Sequence, residues 1–139
     1  MSTHATLSIR DGEAITGCYV HFDGDTMASR IVDFLSDQTV DDLRALIYKA
    51  QKVGGIRSFY CPGFEDPDPT TELLDDSSPR VIDKSNWHED HCGTYLRYVV
   101  EPDGKIFVAD GPTHWEEPAE MAIETWVAAT HNDRLGADR

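Results

Sequence analysis

The pattern that most constrains the fold lies at the start of the chain, where apolar and polar residues alternate on both sides of Asp11-Gly12. Alternation with a period of two indicates half-buried β-strands, and Asp-Gly between two such runs indicates a two-residue hairpin turn. With Asp11 and Gly12 as the loop, Arg10 faces Glu13 as a pair of opposite charges at the tip. The predicted hairpin has one apolar face, which holds Ala5, Leu7, Ile9, Ala14, Cys18, Val20 and Phe22.

Two helices and a short strand are predicted after the hairpin. Apolar residues recur at helical spacing over residues 27–35, after a start at Asp25-Thr26. The second helix begins at Thr39, a good N-cap residue, and ends at Gly54-Gly55, where positive φ is permitted. Residues 56–60 then form a strand rich in apolar and aromatic residues.

The stretch over residues 61–93 differs in composition from the rest of the chain. Between residues 61 and 79 it holds four prolines and six acidic residues, with no Lys or Arg. This composition predicts a long surface loop, with one turn of helix at residues 71–74. Such a loop is either a solvated insertion or a binding segment, and the sequence leaves both open.

A second hairpin and a last helix complete the predicted elements. The hairpin consists of Thr94–Val100, a turn at Pro102-Asp103-Gly104, and Lys105–Ala109. Pro118 stands in the first turn of the last helix, and residues 132–139 form a frayed tail. The inner face of this helix is predicted to hold Ala119, Ala122, Ile123, Trp126 and Thr130.

The order of these elements predicts the fold class. The order ββααβ–ββα indicates an α+β fold, with a mainly antiparallel sheet made of the two hairpins and a short strand. Three helices pack on one face of that sheet. The length of 139 residues, without a linker-like stretch, predicts one domain over residues 1–139. The first residues carry no basic or apolar run of a signal peptide, and three cysteines without paired spacing suggest reduced thiols, so we expect a cytoplasmic protein.

The densest group of reactive side chains is a run of His and Cys after residue 87. His88, His91 and Cys92 are candidate Zn²⁺ ligands, with Cys61, His114 or His21 completing a tetrahedral set. Their spacing matches no standard zinc site, so an exposed polar loop is the alternative, and we expect no cofactor. No phosphate-binding loop, nucleophile elbow or other catalytic motif is present, so no catalytic residue is assigned.

A second candidate site lies on the polar face of the first hairpin. His4 and Tyr19 fall opposite each other on the two strands, and His21 follows on the same face. A surface of histidine and aromatic side chains can bind a ligand or partner. Alternatively, these side chains pack beneath the 61–93 loop.

The two hairpins resemble those of a family of small, uncharacterised proteins encoded by phages, prophages and other mobile elements. Residues 5–9 form the alternating first strand, and Tyr19–Gly24 reads Tyr-x-x-x-Asp-Gly, as at the end of the second strand in that family. Tyr95–Val100 with Pro102-Asp103-Gly104 is similar to a later strand and turn. The family often continues with Tyr-Pro where this chain has Asp25-Thr26. The resemblance implies an accessory protein of a virus or mobile element and brings no catalytic residues.

The net charge of −14 indicates which kinds of partner this chain can bind. Like charge disfavours direct binding to nucleic acid or to anionic membranes. We therefore expect a non-catalytic protein, a monomer or small homo-oligomer in the host cytoplasm, that binds and inhibits a basic, nucleic-acid-binding host or defence protein as a DNA mimic. A small metal- or ligand-binding protein or enzyme, and a virion or assembly component, are the alternatives. The expected binding residues are Glu65, Asp66, Asp68, Glu72, Asp75 and Asp76 of the loop and Glu117, Glu120 and Glu124 on one stripe of the last helix.

Overall fold

The structure, a computed structural model, describes residues 4–22, 26–63, 65, 67–75, 78–87, 96–110 and 120–129. Within these residues the chain forms an α+β fold with three helices and one sheet. The helices are α1 (Met27–Asp37), α2 (Val40–Gln51) and α3 (residues 123–129). The strands are β1 (Ala5–Asp11), β2 (Ala14–Val20), β3 (Ile56–Cys61), β4 (Thr70–Leu73), β5 (Ile82–Asp83), β6 (Leu96–Val100), β7 (Ile106–Asp110) and β8 (Glu120–Ala122).

The sheet of the described residues is mixed rather than mainly antiparallel. Its order is β4-β3-β2-β1-β6-β7-β8, with β5 beside β2. The prediction of a mainly antiparallel sheet is wrong at the centre, where β1 is parallel to β6 and β2 is parallel to β3. Parallel neighbours need a long connection, and helices α1 and α2 provide it between β2 and β3, whose first residue Ile56 lies beside Val20 at the end of β2.

The first hairpin forms, but its register differs from the predicted one by two residues. Asp11 pairs with Ala14, so Gly12 and Glu13 make the loop instead of Asp11 and Gly12. Gly12, the first loop residue, has a φ of +64°, as a type II′ turn requires. The predicted pairing of Arg10 with Glu13 is therefore wrong. Because the shift is two residues, every side chain stays on its predicted face.

The two helices after the hairpin are confirmed. At the start of α2 the Thr39 hydroxyl accepts a hydrogen bond from the Asp42 N–H at 3.1 Å, and the Asp42 carboxylate accepts one from the Thr39 N–H at 2.9 Å. Two backbone donors that lack helical partners are thereby satisfied. After α2, Gly54 and Gly55 have φ of +98° and +133°. No helix within the described ranges has the length and apolar character that a membrane crossing requires.

The predicted long loop over residues 61–93 is interrupted by two short strands. Residues 70–73 pair with β3 as strand β4, so the predicted helical turn at 71–74 is wrong. Two adjacent β-branched threonines, Thr70 and Thr71, favour an extended strand over a helix. Further along, Ile82 pairs with Gly17 of β2.

The last helix begins later than predicted. Residues 120–122 pair with β7 as strand β8, and helical residues start at Ile123. The outer edge of β7 offers unpaired backbone groups, and pairing with β8 satisfies them. Ile123 is buried and Trp126 packs against the core, as predicted for the inner face. Pro118, Ala119 and Thr130 lie outside the described residues.

The two faces of the sheet differ in what covers them. All three helices contribute to the main core on one face, together with Leu7, Val20 and Tyr98 of the sheet. On the other face a smaller apolar group forms around Ile82 and Trp87, so part of the 61–93 stretch covers this face. The Thr6 and Ser8 hydroxyls and the Trp87 indole N–H are buried there, and none of them has a hydrogen-bond partner among the described residues. Arg97 is fully buried and donates a hydrogen bond to the Trp87 carbonyl at 3.2 Å.

Candidate functional site

The polar end of the first hairpin gathers the three residues that the sequence singled out there. His4 precedes β1 and His21 follows β2, and the observed register sets them across from each other instead of setting His4 across from Tyr19. The two imidazole rings stack, with centroids 4.9 Å apart. Tyr19, two residues before His21 on the same strand face, has its ring 5.7 Å from that of His4 and is buried.

Hydrogen bonds fix the orientation of both imidazoles. His4 Nδ1 lies 2.6 Å from the backbone carbonyl of His21. Since a carbonyl only accepts, His4 Nδ1 carries the hydrogen of this bond. His21 Nδ1 lies 3.0 Å from the hydroxyl of Tyr19. When that hydroxyl donates, the neutral His21 ring carries its hydrogen on Nε2.

Two arginines from other segments join this group. The Arg80 guanidinium lies over the Tyr19 ring at 4.5 Å, and the Arg57 guanidinium of β3 lies over the Phe22 ring at 5.6 Å. Phe22 in turn meets the His21 ring edge-on, with centroids 4.5 Å apart. We refer to this group as the His–Arg cluster, which consists of His4, Tyr19, His21, Phe22, Arg57 and Arg80.

The surroundings within the His–Arg cluster lower the pKa of His21. Burial lowers the pKa of His21, and the positive charges of His4, Arg57 and Arg80 lower it further. Each of these effects disfavours the charged imidazolium. In a protein with a net charge of −14, this cluster is a local concentration of positive charge.

A second candidate site lies on the opposite face, where β3 meets the two long helices. Tyr60 has a φ of +47°, which is rare for a residue with a side chain, and the pairing of β3 with β4 shifts register beside it. The irregular backbone lets the consecutive residues Phe59 and Tyr60 both pack on Phe34 of α1, with ring centroids 5.5 and 5.2 Å away. In a regular strand they would point to opposite faces.

The Tyr60 hydroxyl reaches the carboxylates of α1. It donates a hydrogen bond to the Asp37 carboxylate at 2.5 Å. This bond is the main cause that raises the pKa of Tyr60, and the negative charge of Asp33 contributes. Beside Tyr60 is a groove of about 220 Å³. We call it the acidic groove; its lining residues are Phe34, Gln38, Asp42, Leu46, Tyr60, Pro69 and Thr71, with no Lys or Arg among them.

The acidic residues predicted in the 61–93 loop lie in different settings. Glu65, Asp68 and Asp75 are exposed, and Asp68 directly precedes Pro69 of the acidic groove. Glu72 is on β4 and lies 3.8 Å from Arg57. Asp66 and Asp76 lie outside the described residues.

The predicted acidic stripe on the last helix is wrong. Glu120 belongs to strand β8, not to the helix, and its carboxylate pairs with Arg10 through two hydrogen bonds of 2.9 and 2.5 Å. Arg10 also pairs with Glu101 at 2.8 Å. Glu124 is exposed on α3, and Glu117 lies outside the described residues.

The structure describes only some of the candidate zinc ligands. Cys61 is half-buried, with its thiol 3.5 Å from the Pro62 carbonyl, whereas His88, His91 and Cys92 lie outside the described residues. In the part of the chain that the structure describes, no group of three or more His, Cys, Asp or Glu side chains is placed to hold a metal ion. Burial raises the pKa of the Cys18 thiol, which keeps it protonated and unreactive.

Sequence reasoning missed several residues of both sites. Asp33 and Asp37 are four residues apart in α1, a spacing that places them on one helix face and could have been noticed. Arg80 and Tyr60 gave no comparable signal. Arg80 reaches its place through the path of an irregular segment, and Tyr60 through a strand irregularity, neither of which has a sequence pattern.

Comparison of the chain with protein-family models, with curated proteins and with solved structures gave no match. The resemblance to small phage and prophage proteins stays a prediction from the sequence.

Proposed function

We propose that this protein is a non-catalytic accessory protein that binds a basic, nucleic-acid-binding protein through the acidic groove and the acidic segment beside it. The observation that carries this proposal is a groove with the Asp42 carboxylate in its lining and two further acidic residues, Asp37 and Asp68, next to its lining residues Tyr60 and Pro69. Asp37 comes from the end of α1, Asp42 from the start of α2, and Asp68 from the segment before β4. The groove is also lined by the apolar side chain of Leu46 and by the edges of the buried rings of Phe34 and Tyr60.

Charge and shape act together in such a site. Carboxylates around a groove attract a cationic side chain over long range and speed its encounter with the protein. The apolar walls then accept the aliphatic stem of Lys or Arg, which carries its charge at the tip. The proposed partner surface is therefore rich in Lys and Arg, as nucleic-acid-binding surfaces are.

The cellular context is a further part of the proposal. The resemblance of the two hairpins to phage and prophage proteins supports an accessory protein of a virus or mobile element, acting in the cytoplasm of the host. Inhibition follows if the acidic surface occupies the groove in which the partner binds nucleic acid, that is, if it imitates a phosphate backbone.

The first prediction concerns the carboxylates of α1. The double variant Asp33→Asn, Asp37→Asn removes two negative charges beside the acidic groove, and the new amide at residue 37 still accepts from Tyr60. We expect it to weaken binding of the partner at low salt by at least about tenfold. The immobilised protein is incubated with host lysate at about 0.05 M and about 0.5 M salt, which span strong and weak screening. The retained protein is identified and its affinity is measured.

A matched control separates this site from net charge alone. The double variant Glu13→Gln, Asp103→Asn removes the same charge from two turns at the far end of the sheet, where both residues are exposed. It should retain the partner. Equal loss in both variants, or no basic protein retained at low salt, would contradict the proposal. Displacement of the partner by double-stranded DNA tests whether the surface imitates a phosphate backbone.

A further inference from the structure

The His–Arg cluster is the feature whose chemistry the proposed function does not use. It brings two guanidinium groups and two imidazoles together at one end of a sheet in a strongly acidic protein. Burial first, and then the positive charges of His4, Arg57 and Arg80, lower the pKa of His21. A bound anion would offset the mutual repulsion of these cations.

The positively charged groups around His21 come from three other segments of the chain. His4 precedes β1, Arg57 belongs to β3, and Arg80 lies in the segment before β5. Among the described residues, the carboxylate that pairs with this group is that of Glu72 on β4, which lies 3.8 Å from Arg57. Both of these side chains are more than half exposed, so their attraction is weak.

The hydrogen-bond geometry leaves donors available to a ligand. Nδ1 of His4 and Nδ1 of His21 are engaged within the protein, so within the described part of the chain the Nε2 atoms remain for a bound molecule. When the Tyr19 hydroxyl donates to His21 Nδ1, the neutral His21 ring already donates from Nε2. An imidazolium at His4 donates from Nε2 as well, and a guanidinium donates at any ordinary pH. His4, His21 and Arg80 are half-buried and Arg57 is exposed, so solvent reaches the cluster.

We propose that the His–Arg cluster binds a phosphate group of a small molecule, with its two guanidinium groups neutralising the charge and its two imidazoles donating hydrogen bonds. A phosphate carries close to two negative charges near neutral pH and three acceptor oxygens, which suits this number of cations and donors better than a carboxylate does. The phosphates of DNA or RNA are a poor source, because the net charge of −14 repels a polyanion.

The test uses inorganic phosphate and adenosine 5′-monophosphate as probes of the intact protein. Each is titrated while the imidazole signals of His4 and His21 are followed by NMR. We expect binding with a Kd of about 1 mM or tighter, a change in both imidazole signals, and an increase in the pKa of His21, because an anion favours imidazolium. Equal affinity of the two probes assigns the site to the phosphate alone. Tighter binding of the nucleotide assigns it to a phosphate carried beside an aromatic ring, which packs on Phe22.

Variants decide whether the arginines are responsible. Arg57→Gln and Arg80→Gln should each weaken phosphate binding at least about tenfold. Lys105→Gln removes the same charge from an exposed turn at the opposite end of the sheet and should bind as the wild type does. Because Arg80 packs on Tyr19, its variant is also checked for folding, and exposed Arg57 provides the independent result.

Unchanged histidine signals at millimolar phosphate, or an equal loss in Lys105→Gln, would overturn the proposal. The Asp33→Asn, Asp37→Asn variant should bind phosphate normally, so failure of one proposal is separable from failure of the other.

Discussion

At the scale of single residues, His21 links the charge of its surroundings to stability. Its pKa in the folded protein lies below the ordinary value of 6.5, first because of burial and then because of His4 and the two arginines. The unfolded chain therefore takes up this proton at a higher pH than the folded protein does. By linkage, the stabilisation from neutral His21 is complete above about pH 6.5 and decreases as the pH falls below that value.

The variant His21→Gln should remove this part of the pH dependence. We expect the urea midpoint of the wild type to fall more between about pH 7 and about pH 5 than that of the variant, because glutamine does not titrate. The difference between the two proteins at each pH cancels the titration of all other groups. Parallel curves for the two proteins would show that the surroundings of His21 do not disfavour its charged form.

Single residues also explain why the candidate sites were only partly predicted. His4, Tyr19 and His21 were found because strand alternation alone places them on one face, whatever the exact register. Tyr60 was missed because its role depends on a φ of +47°. Apart from glycine, no residue type predicts a positive φ at a given position. Arg57 and Arg80 were missed because their positions depend on segments distant in sequence.

At the scale of elements, the helices were predictable and several strands were not. Helices α1 and α2 depend on local signals: an apolar face, the capping residue Thr39, and Gly54-Gly55 at the end. Strands β4, β5 and β8 have only two to four residues and gain their hydrogen bonds from neighbours distant in the chain. The connection through two helices is long enough for β2 and β3 to be parallel neighbours, but it does not require them to be. The parallel contact of β1 with β6 has no local signal.

Two glycines with positive φ yield a prediction at the scale of elements. Gly55 lies in the connection from α2 into β3, and Gly12 lies in the turn of the first hairpin. At Gly55, with a φ of +133°, an added Cβ would lie 2.3 Å from the Tyr19 carbonyl oxygen. At Gly12, with a φ of +64°, an added Cβ meets nothing within 4 Å. Gly12→Ala should cost about 1 kcal/mol for left-handed backbone. Gly55→Ala should cost at least about 2 kcal/mol more, because two backbone segments must separate.

Urea unfolding at neutral pH measures both glycine variants under the same conditions. The NMR signal of His21 provides a second readout, since Tyr19 holds its imidazole and would be displaced in Gly55→Ala. Equal costs for the two variants would mean that the close approach of Gly55 to Tyr19 does not constrain the fold.

At the scale of the whole molecule, the net charge is distributed unevenly between the two candidate sites. The acidic groove is lined by Asp42 of α2 and has Asp37 of α1 bonded to its lining residue Tyr60, while the His–Arg cluster gathers cations at one end of the sheet. Elsewhere, Arg10 bridges Glu101 and Glu120, and Arg44 bridges Asp11 and Asp41. These ion pairs join elements, whereas the acidic surplus opposes compaction by self-repulsion.

Salt should therefore stabilise this protein. Raising NaCl from about 0.02 M to about 0.5 M shortens the screening length from about 20 Å to about 4 Å, so repulsion among the surplus carboxylates decreases. Exposed ion pairs also weaken, but each contributes little. We expect the Tm to rise by a few degrees, about 1 kcal/mol in the free energy of unfolding.

Chloride binding at the His–Arg cluster would also raise the Tm, and the double variant Arg57→Gln, Arg80→Gln separates the two causes. If screening dominates, the variant keeps the rise; if it loses the rise, the stabilising effect of salt is anion binding. A Tm that falls with salt in the wild type would show that the ion pairs around Arg10 and Arg44 outweigh the repulsion.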